Sequence, residues 1–174
     1  MLELRAASLA DTHAIAAVVA GHARSGDLIV LAGEMGAGKT AFAQGFGRAL
    51  GVTEAITSPT FTLVHSYDID PAHGARARQL HHADLYRLDR TAEIADLALE
   101  ELAEYHGIVL VEWGDVAETL FGDHLVVHLE PDDDGATDDE LFVPTSRLIE
   151  ISATGPSWAS RWPAIAAACE PFTC

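Results

Sequence analysis

Leu28-Ile29-Val30-Leu31-Ala32-Gly33-Glu34-Met35-Gly36-Ala37-Gly38-Lys39-Thr40 is the stretch on which the reading of this chain turns. Its first five residues are a continuous apolar run bounded by turn residues, the form of a strand buried on both faces. Gly33 to Thr40 then satisfy the G-x-x-x-x-G-K-S/T pattern of a Walker A loop. The glycines permit backbone angles that aim successive N–H groups at phosphate oxygens. A helix predicted from Lys39 to about Leu50, stopped at Gly51, adds its partially positive N-terminus. An ammonium at Lys39 suits β- and γ-phosphates, and a hydroxyl at Thr40 suits Mg²⁺. Lys39 is the only lysine among ten basic residues, a compact ammonium kept where phosphates are expected. The candidate nucleotide contacts are therefore Gly33, Gly36, Ala37, Gly38, Lys39 and Thr40.

Upstream, Leu2 to Ala6 alternates as a short strand, and Ser8 with Asp11 forms a serine-x-x-acid cap for a helix reaching about Arg24. Downstream, Ser58-Pro59 marks a turn, and Phe61 to Tyr67 and Leu80 to Tyr86 read as strands around a polar connection at 68–78. Thr91 to about His106 has helical periodicity. Ile108 to Val111 is a second buried strand, ending at Glu112-Trp113. A short helix is predicted near Val116–Leu120. His124–Leu129 and Arg147–Ser152 read as an antiparallel pair around an acidic stretch from Asp132 to Glu140, most simply a solvated hairpin loop, or else a docking site for a basic partner. Gly155-Pro156 opens a last amphipathic helix to about Ala168. The alternation predicts a single-domain α/β P-loop NTPase over 1–168, with a C-terminal tail at 169–174. Its central sheet is expected to be mostly parallel, with helices on both faces and an antiparallel hairpin at one edge.

Length and composition agree with one globular domain: 174 residues, 49% hydrophobic and 21% charged. Ten Lys+Arg against 27 Asp+Glu leave a net charge of −17. Nucleic-acid affinity rests largely on basic residues displacing counterions, so tight autonomous binding to nucleic acid or to an anionic membrane is not expected. Cys169 and Cys174 form no Cys-x-x-Cys pair and read as incidental thiols on a frayed tail in a reducing compartment. The N-terminus has no signal-peptide pattern and no run approaches a membrane span, so a cytoplasmic protein is expected.

With no second lysine, the Asn/Thr-Lys-x-Asp guanine motif cannot exist here, which favours ATP by elimination. A P-loop ATPase needs an acid at the tip of a buried strand. Glu112 has that position, as a metal-side or water-orienting carboxylate, and Asp84 is the second candidate. Trp113 is a candidate pocket wall, whereas Trp158 and Trp162, four apart on the last helix, read as packing. Of nine histidines, His82 alone is a candidate for catalysis, and a packed, hydrogen-bonded role is expected of it instead.

Taken together, Gly33–Thr40, Ser58-Pro59-Thr60-Phe61-Thr62-Leu63-Val64, His82-Ala83-Asp84-Leu85-Tyr86-Arg87-Leu88 and Val111-Glu112-Trp113 resemble the TsaE (YjeE) family of bacterial ATPases in tRNA threonylcarbamoyladenosine biosynthesis. The resemblance spans about residues 8–155. It implies binding of ATP and Mg²⁺, weak hydrolysis alone, and action with the TsaB–TsaD pair, with tRNA reached only through that complex. It implies Lys39 as the phosphate lysine, Thr40, Glu112 and Asp84 on the metal side, and Lys39, Glu112 and Asp84 as the catalytic set. Trp113 falls on a functional tryptophan, Ser58–Thr62 on a switch-like loop, and Thr12 near the adenine. Ala41 departs from the hydroxyl residue many members carry after the loop, leaving a backbone N–H to serve there. Two other readings compete: a small-molecule P-loop kinase drawing on Arg76, Arg78, Arg87 and Arg90, and a nucleotide-sensing module without useful turnover.

Overall fold

A computed structural model describes residues 1–59, 62–73, 77–86, 91–113, 121–132 and 146–174. The chain runs β1 (Leu2–Ala6), α1 (Leu9–His22), β2 (Leu28–Ala32), α2 (Lys39–Ala49), β3 (Val64–Asp68), β4 (Gln79–Asp84), α3 (Thr91–Ala95), α4 (Leu99–Glu104), β5 (Gly107–Glu112), β6 (His124–Pro131), β7 (Arg147–Thr154) and α5 (Trp162–Cys169). One seven-stranded sheet orders them β1-β7-β6-β2-β5-β4-β3. The centre is parallel: β2 lies between β6 and β5, and β5 pairs with β4, all in one direction.

Antiparallel strands close the sheet at both edges, where one edge was expected. The predicted β6–β7 pair is present, and β1 adds antiparallel to β7. At the far edge β3 returns antiparallel to β4. Helices cover both faces, as the apolar strands require. On one, α1, α2 and α5 bury Ile15, Val19, Phe42, Phe46 and Ile165 against Ile29, Leu31, Ile108 and Val127. On the other, α3 and α4 bury Ile94, Leu99 and Ala103 against Val30, Val109 and Val111. Among the described residues, no helix is long and apolar enough to cross a membrane.

Several element boundaries differ from the sequence expectation, each for a local reason. The helix predicted over 91–106 is broken, because in one continuous helix Ile94 and Leu99 would point about 140° apart. A left-handed turn at Ala98 (φ 49°) lets both be buried. The last helix begins at Trp162 instead of Pro156. Pro163 is tolerated only in a first turn, so the helix starts around it. β3 starts at Val64, after a turn in which the Thr62 and Leu63 N–H groups donate to the Pro59 carbonyl. β4 stops at Asp84, whose carboxylate takes the Tyr86 N–H and turns the chain. The expected helix at 116–120 and the acidic residues 133–140 lie outside the described residues.

Two expectations about polar residues are corrected. Asp132 is buried and paired to Arg5 at 2.6 Å, so it belongs to the β1–β7–β6 edge instead of a solvated loop. The C-terminus is not frayed: Cys169 is in the core, Thr173 bridges to Leu4, and the Cys174 N–H donates to the Glu3 carbonyl.

Candidate active site

β2 delivers the chain directly into the glycine loop, and the loop delivers it into α2. Gly33 takes φ 126°, and a Cβ there would stand 2.2 Å from the Leu129 carbonyl oxygen, so only glycine fits. Gly38, at φ 108°, is the N-cap of α2, and no side chain caps that helix. No side-chain cap therefore competes for its first-turn N–H groups. The Lys39 side chain is 5% exposed and folds back over the loop. Its Nζ donates to the carbonyls of Gly33 (2.7 Å) and Glu34 (2.8 Å) and lies 3.7 Å from the centroid of the Trp113 ring.

The two acids meet because β4 and β5 are parallel neighbours in a register that sets Asp84 beside Glu112. Each is 3% exposed. Glu112 Oε1 accepts two hydrogen bonds, from Thr40 Oγ1 at 2.9 Å and from His82 Nε2 at 2.9 Å. The Thr40 bond ties the N-terminus of α2 to the tip of β5. His82 is fully buried, and its Nδ1 has no partner among the described residues. Asp84 Oδ2 accepts the Ser58 hydroxyl at 2.6 Å, and Oδ1 accepts the Tyr86 N–H at 2.9 Å. Trp113 leaves β5 in a left-handed conformation (φ 60°), and its ring meets Tyr86 at 5.0 Å between centroids. A strained residue at a strand tip is the kind of feature that collects at functional sites.

These groups enclose a cavity of about 490 Å³, lined by Gly36, Gly38, Lys39, Thr40, Ala41, Ser58, Asp84, Tyr86, Glu112 and Trp113, with Met35 at its rim. The donor set has two sides. Backbone N–H groups and the ammonium suit an anion. Two carboxylates and two hydroxyls suit a hard divalent cation, which prefers oxygen ligands. An anion alone would face two carboxylates against one ammonium, so a polyanion fits this lining best with a cation beside it.

Of the residues expected from sequence, Gly36, Gly38, Lys39, Thr40, Ala41, Asp84, Glu112 and Trp113 all line this one cavity. Gly33 and Ala37 do not; Gly33 supports Lys39 through its carbonyl, and Ala37 is fully buried behind the loop. Thr12 is elsewhere, its hydroxyl spent on the Ser8 carbonyl. Sequence reading left the His82–Glu112 bond unspecified, although His82 stands two residues before Asp84 and therefore on the same strand face. It missed the Ser58–Asp84 bond and the contact of Tyr86 with Trp113. It missed Arg147 entirely, whose Nε donates to the Ala37 carbonyl at 2.8 Å from 110 residues away.

The family model described as threonylcarbamoyl adenosine biosynthesis protein TsaE matches residues 6–139. A Bacillus subtilis protein named tRNA threonylcarbamoyladenosine biosynthesis protein TsaE is 38% identical over 117 residues, which cover 67% of this chain and 69% of the relative. The Streptomyces coelicolor protein of the same name is 37% identical over 139 residues, 79% of this chain and 86% of its own. Among solved structures, the crystal structure of Bacillus subtilis YdiB superposes with a TM-score of 0.65 at 26% identity, covering 98% of this chain and 94% of that one.

Proposed function

This chain belongs to the TsaE family of tRNA threonylcarbamoyladenosine biosynthesis, and from that premise we propose that it is a cytoplasmic ATPase. In this reading it binds ATP with Mg²⁺ in the cavity between the glycine loop and the Asp84–Glu112 pair. It hydrolyses ATP weakly alone and faster with the TsaB–TsaD pair, through which it serves tRNA without gripping it. The observation that carries the reading is the Thr40–Glu112 hydrogen bond, which joins the anion side of the cavity to its carboxylate side.

The chain's own groups divide the work. The N–H groups of Gly36, Gly38, Lys39, Thr40 and Ala41 cradle phosphate oxygens at the start of α2. Lys39, held over Trp113 and near the cavity by two loop carbonyls, exchanges those neutral acceptors for charged β- and γ-phosphate oxygens, a stronger kind of bond. Thr40, Glu112 and Asp84 would hold Mg²⁺, which when bound would supply positive charge to offset the negative charge of the phosphates. His82 and Thr40 fix one oxygen of Glu112, leaving Oε2 for the metal side or for orienting water. Ser58 holds Asp84 from the loop that precedes β3. Trp113 and Tyr86 wall the cavity.

The net charge of −17 supports the division of labour with a tRNA-handling partner, since a chain of that sign has little attraction for a phosphate backbone. ATP turnover by the purified chain with Mg²⁺, alone and with TsaB–TsaD, tests the proposal. Slow turnover that rises with the pair is expected. Unchanged turnover despite ATP binding would overturn the partner-driven part and favour a kinase or a nucleotide sensor.

A further inference from the structure

We propose that Arg147 is a positioning residue for the anion site: it fixes the peptide plane between Ala37 and Gly38 so that the Gly38 N–H faces the bound phosphate. The proposal rests on the nucleotide reading above and adds to it a residue outside the cavity.

Arg147 donates its Nε–H to the Ala37 carbonyl oxygen at 2.8 Å. The described peptide bonds are trans, so the Ala37 carbonyl and the Gly38 N–H point in opposite directions from one rigid plane. Gly38 lines the cavity, and neither Ala37 nor Arg147 does. A donor that holds the carbonyl from behind therefore turns the following N–H forward. A holder is needed because Gly38 sits at φ 108°, and glycine crosses between positive and negative φ at little cost. Without one, the plane is free to rotate its N–H away from an anion, and binding would have to restore the order.

The guanidinium is well placed to do this. Arg147 opens β7 with Ala6 of β1 opposite on one side and Pro131 of β6 on the other. Its Nη1 also donates to the Ser146 carbonyl at 2.7 Å. The same edge of the sheet presents the Leu129 carbonyl beneath Gly33. The β6–β7 pair thus braces the glycine loop at its first and last glycines, from a part of the chain that shares no local sequence with it.

The test compares Arg147→Gln with Arg147→Met. Glutamine keeps an N–H donor the same number of bonds from the backbone as the arginine Nε and removes the charge; methionine matches the length and has no donor. Inorganic pyrophosphate and ATP are titrated into each folded protein, with the Gly38 amide followed by NMR and the empty protein's Tm recorded. Expected are binding within about threefold of wild type for Arg147→Gln, about tenfold weaker binding for Arg147→Met, and a large Gly38 amide shift in wild type. Equal affinity in wild type and Arg147→Met would overturn the proposal. So would equal losses in both variants, which would assign the effect to charge. If Arg147→Met does not fold, the wild-type Gly38 amide decides: a signal unmoved by saturating pyrophosphate refutes the placement. A wild type that binds neither ATP nor pyrophosphate removes the nucleotide reading, and this proposal with it; binding without the Arg147 dependence removes this proposal alone.

Discussion

Strand β2 has a buried charge cluster beyond each end, and the two are built differently. At the N-terminal end, Asp27 receives both terminal nitrogens of Arg161, with Nη2 to Oδ1 at 2.8 Å. The same guanidinium donates to the carbonyls of His22 and Ser157 and lies 3.8 Å over the Trp158 ring. At the C-terminal end, Lys39 and Glu112 are as deeply buried, yet Lys39 spends its protons on backbone carbonyls and Glu112 takes its bonds from a neutral threonine and a histidine. The first cluster joins opposite charges and ties α5 to the β2 entry. The second holds its ammonium on the loop carbonyls and its carboxylate on Thr40 and His82, around a cavity. Burial by itself does not mark function; what matters is whether the charges satisfy each other or are held ready for something else.

The sharpest way to break that contrast is Arg161→Ala. Removing one partner of a buried pair costs about 3–5 kcal/mol. At this chain length that lowers the Tm by roughly 10 °C, and ATP affinity of the folded protein should stay the same. A variant that melts like wild type would remove Asp27–Arg161 from the role of structural staple. Glu112→Gln should do the reverse: turnover falls about 100-fold, a magnitude typical of a positioned acid or base, with the Tm of the empty protein little changed. Steady-state hydrolysis and calorimetry on the same sample decide it.

Lys39→Ala comes next in size. Losing a hydrogen-bonding charge to phosphate should weaken ATP binding about 10- to 100-fold, seen by titration calorimetry, while the nucleotide-free protein melts near the wild-type temperature. A large drop in that Tm would place Lys39 with the structural cluster. The smallest effect belongs to His81, away from both clusters, on β4 with Ser66 Oγ 2.8 Å from its Nδ1. Burial pushes its pKa below the ordinary 6.5. The folded state therefore keeps His81 neutral where the unfolded chain takes up a proton. Its contribution to stability is complete above about pH 6.5 and declines as the pH falls through that value toward the lower folded pKa. His81→Gln should flatten the fall in Tm as the pH drops below about 6.5. His13, lowered by burial and then by Arg48, leaves a remaining slope in the same direction. An unchanged pH profile in His81→Gln would contradict the assignment.

Much of the site was legible in one dimension because its parts are local. The glycine loop needs only the strand before it and the helix after it, and 13 consecutive residues supply all three. Glu112 was readable because an acid at the end of Ile108–Val111 must emerge at a strand tip. Boundaries set by competition were not readable: Pro163 delayed α5, and the burial of both Ile94 and Leu99 split the helix after Thr91. Asp132 looked like one more acid in a charged run until the strand pairing brought Arg5 to it.

The sequence by itself determined the anion side of this protein, since the backbone freedom of Gly33 and Gly38, the start of α2 and the single ammonium at Lys39 all follow from neighbouring residues. Only the tertiary structure decided which acid Thr40 would hold, that His82 would share the same oxygen, and that Arg147 would reach behind Ala37. Those partners lie 72, 30 and 110 residues apart. Their meeting depends on the register of β2 and β4 on β5, of β6 on β2 and of β7 on β6, which pairing across the whole sheet selects and no local propensity encodes.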